Sequence, residues 1–187
     1  MIYNWKKIVK NGLPILFFTA ILEILAGQIL QGKQELLYLF PIFLISFPVI
    51  NSVSGNIGCV LGARLASGLH VGYVTVTLDD KEMHNNLMIS LLIGFITYFI
   101  LAILIYFIAL FSNLTKGIGL IEFVSIIIIT GFLLLFIISF ISVLAAFISF
   151  KRGLDPDDIV APVVTTAGDI TGILFLFLIL GLFGVGL

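Results

Sequence analysis

The chain has 187 residues, of which 61% are hydrophobic and only 10% are charged, and its mean hydropathy is +1.30. Soluble domains carry about 25% charged residues and cannot bury so large an apolar fraction. The net charge of −1 leaves no broad basic surface for nucleic acid, and a single cysteine excludes an internal disulfide framework. The composition therefore indicates an integral membrane protein.

Five apolar runs are each long enough to cross a membrane as a helix, which takes about 20 residues. We predict an all-α integral membrane protein with one domain over residues 1–187. An amphipathic interfacial helix is predicted at 1–12, followed by spans at 13–30, 36–69, 87–111, 119–150 and 158–186. The runs are too long for barrel strands and lack their period-two alternation.

Lysine and arginine are divided unequally between the two ends of these spans. One end has Lys6, Lys7, Lys10, Arg64, Lys81, Lys151 and Arg152, and the other has Lys33 and Lys116. Positive charges concentrate on the cytoplasmic side of a membrane. We therefore predict a multi-pass cell-membrane protein with a cytoplasmic N-terminus and an extracellular C-terminus.

Asp169 is an ionisable residue inside the fifth predicted span. A charge at that depth costs at least ~2.5–3.5 kcal/mol, and such residues usually serve a functional site. Helical spacing places Ala161, Thr165, Asp169 and Gly172 on one face, beside Pro162. Carbonyl, hydroxyl and carboxylate oxygens together suit a hard cation such as Mg²⁺. The alternative is a neutral carboxylic acid hydrogen-bonded between helices.

The second predicted span carries a matching stripe of small and polar residues: Asn51, Ser54, Gly55, Asn56, Gly58, Gly62, Ala63, Ala66 and Ser67. Gly58 and Gly62 form a GxxxG pair, which is typical of tight helix packing. Asn51 and Asn56 need hydrogen-bond partners in hydrocarbon. We predict that Asn56 lies beside a permeation path, while Cys59 is a small packing residue rather than a nucleophile.

Two further charged residues lie in or at the end of these spans. Glu23 is in the middle of the first span, and functional and structural roles both stay open; its candidate partners are Arg64, Asn51 or a permeating ion. For Arg64, at the end of the second span, we predict a structural role through a carboxylate or backbone carbonyls at the inner end. No Walker, serine-elbow or HExxH motif occurs, so we predict that the protein is not an enzyme.

Two stretches resemble a known family. Residues 48–68, PVINSVSGNIGCVLGARLASG, are similar to the second transmembrane segment of the MgtE magnesium channels and of the related solute carrier family 41. Residues 153–169, GLDPDDIVAPVVTTAGD, resemble the entry to their fifth segment. The segment at 23–27, EILAG, also looks like the first segment of the solute-carrier branch.

The resemblance implies a pore for Mg²⁺ at a two-fold interface, lined by the second and fifth segments of two five-helix units. It implies that Asp169 recognises a hydrated Mg²⁺, that Thr165 offers a backbone carbonyl, and that Asn56 lies beside the pore. Mn²⁺ and Co²⁺ are further candidate substrates. The candidate pore-lining residues are Asn51, Gly55, Cys59, Ala161, Pro162, Thr166, Gly172 and Glu23.

The cytosolic and CBS domains of the bacterial channels have no counterpart in this sequence, so their gate is not carried over. A half-size unit is expected to form a homodimer, or to pair with a related half-size unit. Two Asp169 carboxylates would then share one divalent cation. Two alternatives stay open: a Na⁺- or H⁺-coupled cation exchanger that uses Glu23 as its second carboxylate, and a non-transporting membrane scaffold.

Overall fold

The computed structural model describes residues 5–77 and 79–185, without the side chains of residues 5–8, 11 and 157. Its helices are α1 (Trp5–Gln31), α2 (Gln34–Leu39), α3 (Pro41–Val71), α4 (Lys81–Phe111), α5 (Leu120–Lys151) and α6 (Pro156–Leu182). All except the short α2 are long and apolar enough to cross a membrane. The prediction of an all-α protein with five candidate membrane-spanning helices is therefore confirmed.

Several helix boundaries differ from the predicted spans. The interfacial helix predicted at 1–12 lies partly outside the described residues, and from Trp5 onward the chain continues directly into α1. The span predicted at 36–69 is interrupted at Phe40, because Pro41 has no N–H with which to continue α2. At the C-terminal end, α6 stops at Leu182, and residue 186 lies outside the described part of the chain.

The third span begins earlier than hydropathy indicates, because Asp80 caps the helix. Its Oδ1 accepts a hydrogen bond from the Met83 amide at 2.9 Å, as an N-cap carboxylate does. Its Oδ2 accepts two more from Thr75, from the amide at 2.9 Å and from the hydroxyl at 2.7 Å. These hydrogen bonds lower the pKa of Asp80 to about 2, and the one from the Met83 amide has the largest effect. The connection between the spans predicted at 36–69 and 87–111 is consequently shorter, since α4 starts at Lys81.

The long helices form a bundle in which α5 packs against α3, α4 and α6, while α1 packs mainly against α6. The ring of His70, near the end of α3, lies 5.4 Å from that of Phe150, near the end of α5. At the opposite end, Leu39, Lys116 and Val185 line one cavity. The C-terminal parts of α3 and α5 thus meet at one end of the bundle, and the start of α3, the α4–α5 connection and the end of α6 meet at the other. Successive long helices therefore run in opposite directions.

Gly58 and Gly62 let α3 lie close to α5 and α6. A Cβ at Gly58 would lie 2.5 Å from Ile138 Cγ2, and one at Gly62 would lie 2.2 Å from Val160 Cγ1. The hydroxyl of Ser142 also donates a hydrogen bond to the carbonyl of Gly58 at 2.7 Å. The GxxxG pair thus serves helix packing inside one chain.

We expect Gly62→Ala to destabilise the bundle, because the new methyl group must push Val160 and α6 away. Overpacking of this kind costs about 1–3 kcal/mol. Gly27→Ala is the matched control, since a Cβ there meets nothing within 4 Å. Thermal unfolding in detergent should show a lower Tm for Gly62→Ala alone. Equal Tm values for both variants would contradict the close contact.

Tyr98 joins α4 to α3 at two positions on either side of Asn51. Its hydroxyl donates a hydrogen bond to the carbonyl of Ile50 at 2.8 Å and contacts the hydroxyl of Ser54. All three residues are buried. Since a buried hydroxyl needs a partner, this contact holds α3 at a defined position on its α4 side.

Candidate cation site

A cleft of about 390 Å³ opens between the middle of α3 and α6. It brings together several candidate residues that lie far apart in the sequence, on α3 and on α6. Its lining consists of Phe47, Pro48, Asn51, Ser52, Gly55, Asn56, Thr165 and Asp169. Ser52 was missed by the sequence reasoning, although the spacing of four between Pro48, Ser52 and Asn56 places these residues on one face.

Asp169 is held in the cleft by Asn51. Oδ1 of Asp169 accepts a hydrogen bond of 3.0 Å from Nδ2 of Asn51. Oδ2 of Asp169 has no hydrogen bond within the described part of the chain, and the side chain is only half-buried. One carboxylate oxygen is thus fixed by α3, and the other is free to meet a solute in the cleft.

Gly172 makes room for the Asn51 amide. A Cβ at Gly172 would lie 2.0 Å from Asn51 Oδ1, so only glycine permits this approach. Asn51 is buried, and among the described residues its Oδ1 has no hydrogen-bond partner. The amide is therefore fixed between Gly172 on one side and Asp169 on the other.

The remaining polar side chains of the cleft are exposed in the single chain. Thr165 donates its hydroxyl proton to the carbonyls of Ala161, at 2.9 Å, and Pro162, at 3.2 Å. Asn56 donates from Nδ2 to Ser52 Oγ at 3.3 Å. The Thr165 hydroxyl oxygen and the Asn56 amide oxygen can still accept hydrogen bonds from water.

Thr166 and Glu23 form a second polar pair, which does not line the cleft. Thr166 is 2% exposed, and its hydroxyl donates to Glu23 Oε1 at 2.9 Å. The sequence named Arg64, Asn51 or a permeating ion as the partner of Glu23; among the described residues Thr166 takes the place of Arg64 and Asn51, and the permeating ion stays a prediction. Thr166 was missed because helical periodicity does not reveal that α1 packs against this side of α6.

The other candidates do not line the cleft within one chain. Cys59 is half-buried and packs against the apolar core, Ala161 is exposed, and Pro162 is half-buried. Gly172 lies behind Asn51 instead of in the lining. The cleft of a single chain is thus made from Asn51, Ser52, Gly55, Asn56, Thr165 and Asp169 together with the apolar Phe47 and Pro48.

The chemistry of the cleft suits a cation that keeps its water. Only one carboxylate lines it, and the described residues contain no group of three or more His, Cys, Asp or Glu side chains that could cage a bare metal. Six waters occupy about 180 Å³ at ~30 Å³ each, which the cleft of about 390 Å³ accommodates. Amide and hydroxyl groups around one carboxylate can hydrogen-bond such a water shell.

A sequence profile described as "MgtE: Divalent cation transporter" matches residues 47–179. No curated protein sequence matches the chain significantly. The matched region includes every residue that lines the cleft and excludes α1, which carries Glu23.

Proposed function

Since the chain belongs to the MgtE family of divalent cation transporters, we propose that it conducts hydrated Mg²⁺ through a pore formed by two copies. The observation that carries this proposal is Asp169, which lines the cleft and whose Oδ2 has no hydrogen bond to any residue that the structure describes. Intramembrane carboxylates usually face a partner or an aqueous path. Thr165 and Asn56 support Asp169 by bonding the water shell, and Mn²⁺ or Co²⁺ are competing substrates.

A second copy of this chain would close the cleft. Ser52, Asn56 and Thr165 are exposed in the single chain at a depth where lipid offers no hydrogen bonds. Two-fold pairing across these residues would replace lipid by a water-filled pathway and bring two Asp169 carboxylates together. A divalent cation neutralises both charges, and Mg²⁺, which dehydrates reluctantly, suits a wide site that contacts its waters.

We place the N-terminus and the connections at 72–80 and 152–155 in the cytoplasm, and the C-terminal end of α6 outside. This orientation puts Lys81, Lys151 and Arg152 on the inner side of the cell membrane, as the charge rule favours. Lys33 and Lys116 then lie outside.

Flux into liposomes that contain a Mg²⁺-sensitive dye tests the proposal. Purified protein should pass Mg²⁺ down its own gradient, with no requirement for a Na⁺ or pH gradient. External Mn²⁺ and Co²⁺ should compete with Mg²⁺ for the same pathway, because both are octahedral divalent cations. Liposomes with protein that leak Mg²⁺ no faster than empty liposomes would refute transport.

The Glu23–Thr166 hydrogen bond supports one alternative, a cation exchanger coupled to Na⁺ or H⁺. It places a second carboxyl group inside the membrane, on a helix that contacts α6. Coupled exchange requires a second ion site, and Glu23 offers a carboxylate well inside a spanning helix and outside the lining of the cleft.

Glu23→Gln separates the channel from the exchanger. For a channel, we expect Mg²⁺ flux to stay within about threefold of wild type, because the glutamine carbonyl still accepts the Thr166 hydrogen bond. For an exchanger, any stimulation by a Na⁺ or pH gradient should vanish in this variant. Flux measured with and without each gradient, in wild type and variant, decides between the two.

A further inference from the structure

Arg64 carries a charge that the described part of the chain does not neutralise. It is exposed on α3, and its guanidinium has neither a hydrogen bond nor an ion pair among the residues that the structure describes. The carboxylate or carbonyl partner predicted from the sequence is therefore not found there. A charged residue in a spanning helix needs a partner or water, so a ligand for Arg64 has to be sought.

Arg64 lies in a cavity of about 600 Å³ between α3 and α4. Its polar lining is formed by Arg64, Ser67, Tyr73 and Asn86, and its remaining lining by Val60, Ala63, Gly68, Val71 and Val74. A smaller cavity of about 160 Å³ continues from Arg64 and Val60 along Ile57 and Ile93, and Asn56 and Ser90 complete its lining. The combination is a largely apolar pocket with a few polar side chains around Arg64 that leads into a mainly apolar groove.

The chain after α3 folds back to form one wall of this pocket. Gly72 adopts φ 78°, and the amides of Tyr73 and Val74 donate to the carbonyl of Gly68 at 2.8 and 3.0 Å. Val74 then packs closely on Gly68, because a Cβ added at Gly68 would lie 2.5 Å from Val74 Cγ2. The pocket is therefore built by specific backbone geometry and is not a gap between loosely placed side chains.

We propose that this pocket binds the phosphate of an anionic membrane phospholipid, with an acyl chain in the groove along Ile57 and Ile93. A guanidinium binds phosphate through two parallel hydrogen bonds, and the Ser67 hydroxyl adds a third donor. Arg64 lies seven residues before the end of α3 at Val71, or ~10 Å along the helix, which is a suitable depth for a headgroup contact.

The nearby acidic residues favour a lipid over a free phosphate ion. Asp80 and Glu82 lie near Tyr73, where the hydrogen bond and the negative charge of Glu82 raise the pKa of the Tyr73 hydroxyl. These charges repel a free multivalent anion at the mouth of the pocket. A phospholipid is concentrated in the bilayer beside the groove, so its phosphate meets Arg64 at a high effective concentration that a free phosphate ion lacks.

The Arg64 pocket shares no lining residue with the cation cleft, and the groove that continues from it shares only Asn56 among the described residues. Arg64 follows Asn51 by 13 positions, so the two side chains point about 140° apart around α3. Bound phosphate would leave Asp169 accessible, and lipid binding does not depend on the proposed transport. A failed flux assay and a failed lipid assay are therefore distinguishable results.

Native mass spectrometry of protein purified with phosphatidylglycerol tests the site. We expect wild type to retain the lipid. Arg64→Gln should retain roughly tenfold less lipid, because it loses one charge-assisted interaction with the phosphate. Arg152→Gln is the matched control, because Arg152 is an exposed cation at the same end of the bundle and does not line the pocket. It should retain lipid like wild type.

Three results would overturn the proposal. Equal lipid retention by wild type and Arg64→Gln would show that Arg64 does not bind the headgroup. Displacement of the lipid by millimolar inorganic phosphate would indicate a site for the free ion. Loss of the dimer in Arg64→Gln, with lipid retention unchanged, would assign the guanidinium to the second copy of the chain.

Discussion

Asp169→Asn is expected to abolish Mg²⁺ flux while leaving the fold intact. The new amide has the size of the carboxylate, and its oxygen can still accept the hydrogen bond from Asn51 Nδ2, now 3.0 Å from Asp169 Oδ1. Only the charge is lost, once from each copy. We expect flux to fall on the order of 100-fold or more, which corresponds to a loss of about 2.7 kcal/mol in stabilisation of the permeating ion. This loss is well below the Coulomb energy between a divalent cation and a carboxylate at moderate dielectric.

Dye-loaded liposomes provide the measurement for Asp169→Asn, and Glu122→Gln provides the control. Glu122 is a half-buried acid in the first turn of α5, outside the cleft, and its neutralisation should leave flux unchanged. The Tm of both variants should match wild type, which separates a transport defect from misfolding. Wild-type flux through Asp169→Asn would show that the Asp169 charge has no role in permeation.

Gly172→Ala should damage the site without changing any polar residue. Its methyl group would lie 2.0 Å from Asn51 Oδ1, so the amide must leave its position beside Asp169. We expect flux to fall roughly tenfold, the effect of losing about 1.4 kcal/mol from one hydrogen bond to a charged group. Gly168→Ala is the control on the same helix, because its Cβ meets Ile138 at an ordinary 3.7 Å.

A double variant shows whether Asn51 transmits this effect. Asn51→Ala removes the amide that collides with the new methyl group. If Gly172 acts through Asn51, then combining Asn51→Ala with Gly172→Ala should lower flux no further than Asn51→Ala alone, a strongly non-additive result. Full additivity of the two losses in log flux would mean that Gly172 acts on the pore by another route.

The sequence predicted the spans because the bilayer restricts their form. Backbone groups in hydrocarbon must bond within their own segment, so each long apolar run had to be a helix. Within α3 and α6, the period of 3.6 residues placed Asn51 with Gly55, and Thr165 with Asp169, on common faces. The cleft follows once these two faces meet, which is why its main polar residues were predictable.

Other features depend on how the helices pack, and helical periodicity does not contain that information. Nothing in the pattern showed that α1 lies against the Thr166 side of α6, so the partner of Glu23 was missed. The role of Gly172 depends on one rotamer of Asn51 across a helix interface. Asp80 extended α4 into a polar stretch because a local cap overrides hydropathy at a helix end.

The central claim is that two Asp169 carboxylates share one hydrated divalent cation at a two-fold axis. Anomalous scattering from crystals grown with Mn²⁺ tests it most directly. The proposal predicts one peak on the axis, about 4–5 Å from each Asp169 carboxylate, which is a metal–water bond plus a hydrogen bond. A dimer without such a peak, in which helix contacts fill the cleft and leave no aqueous path, would contradict the claim and favour a non-transporting scaffold.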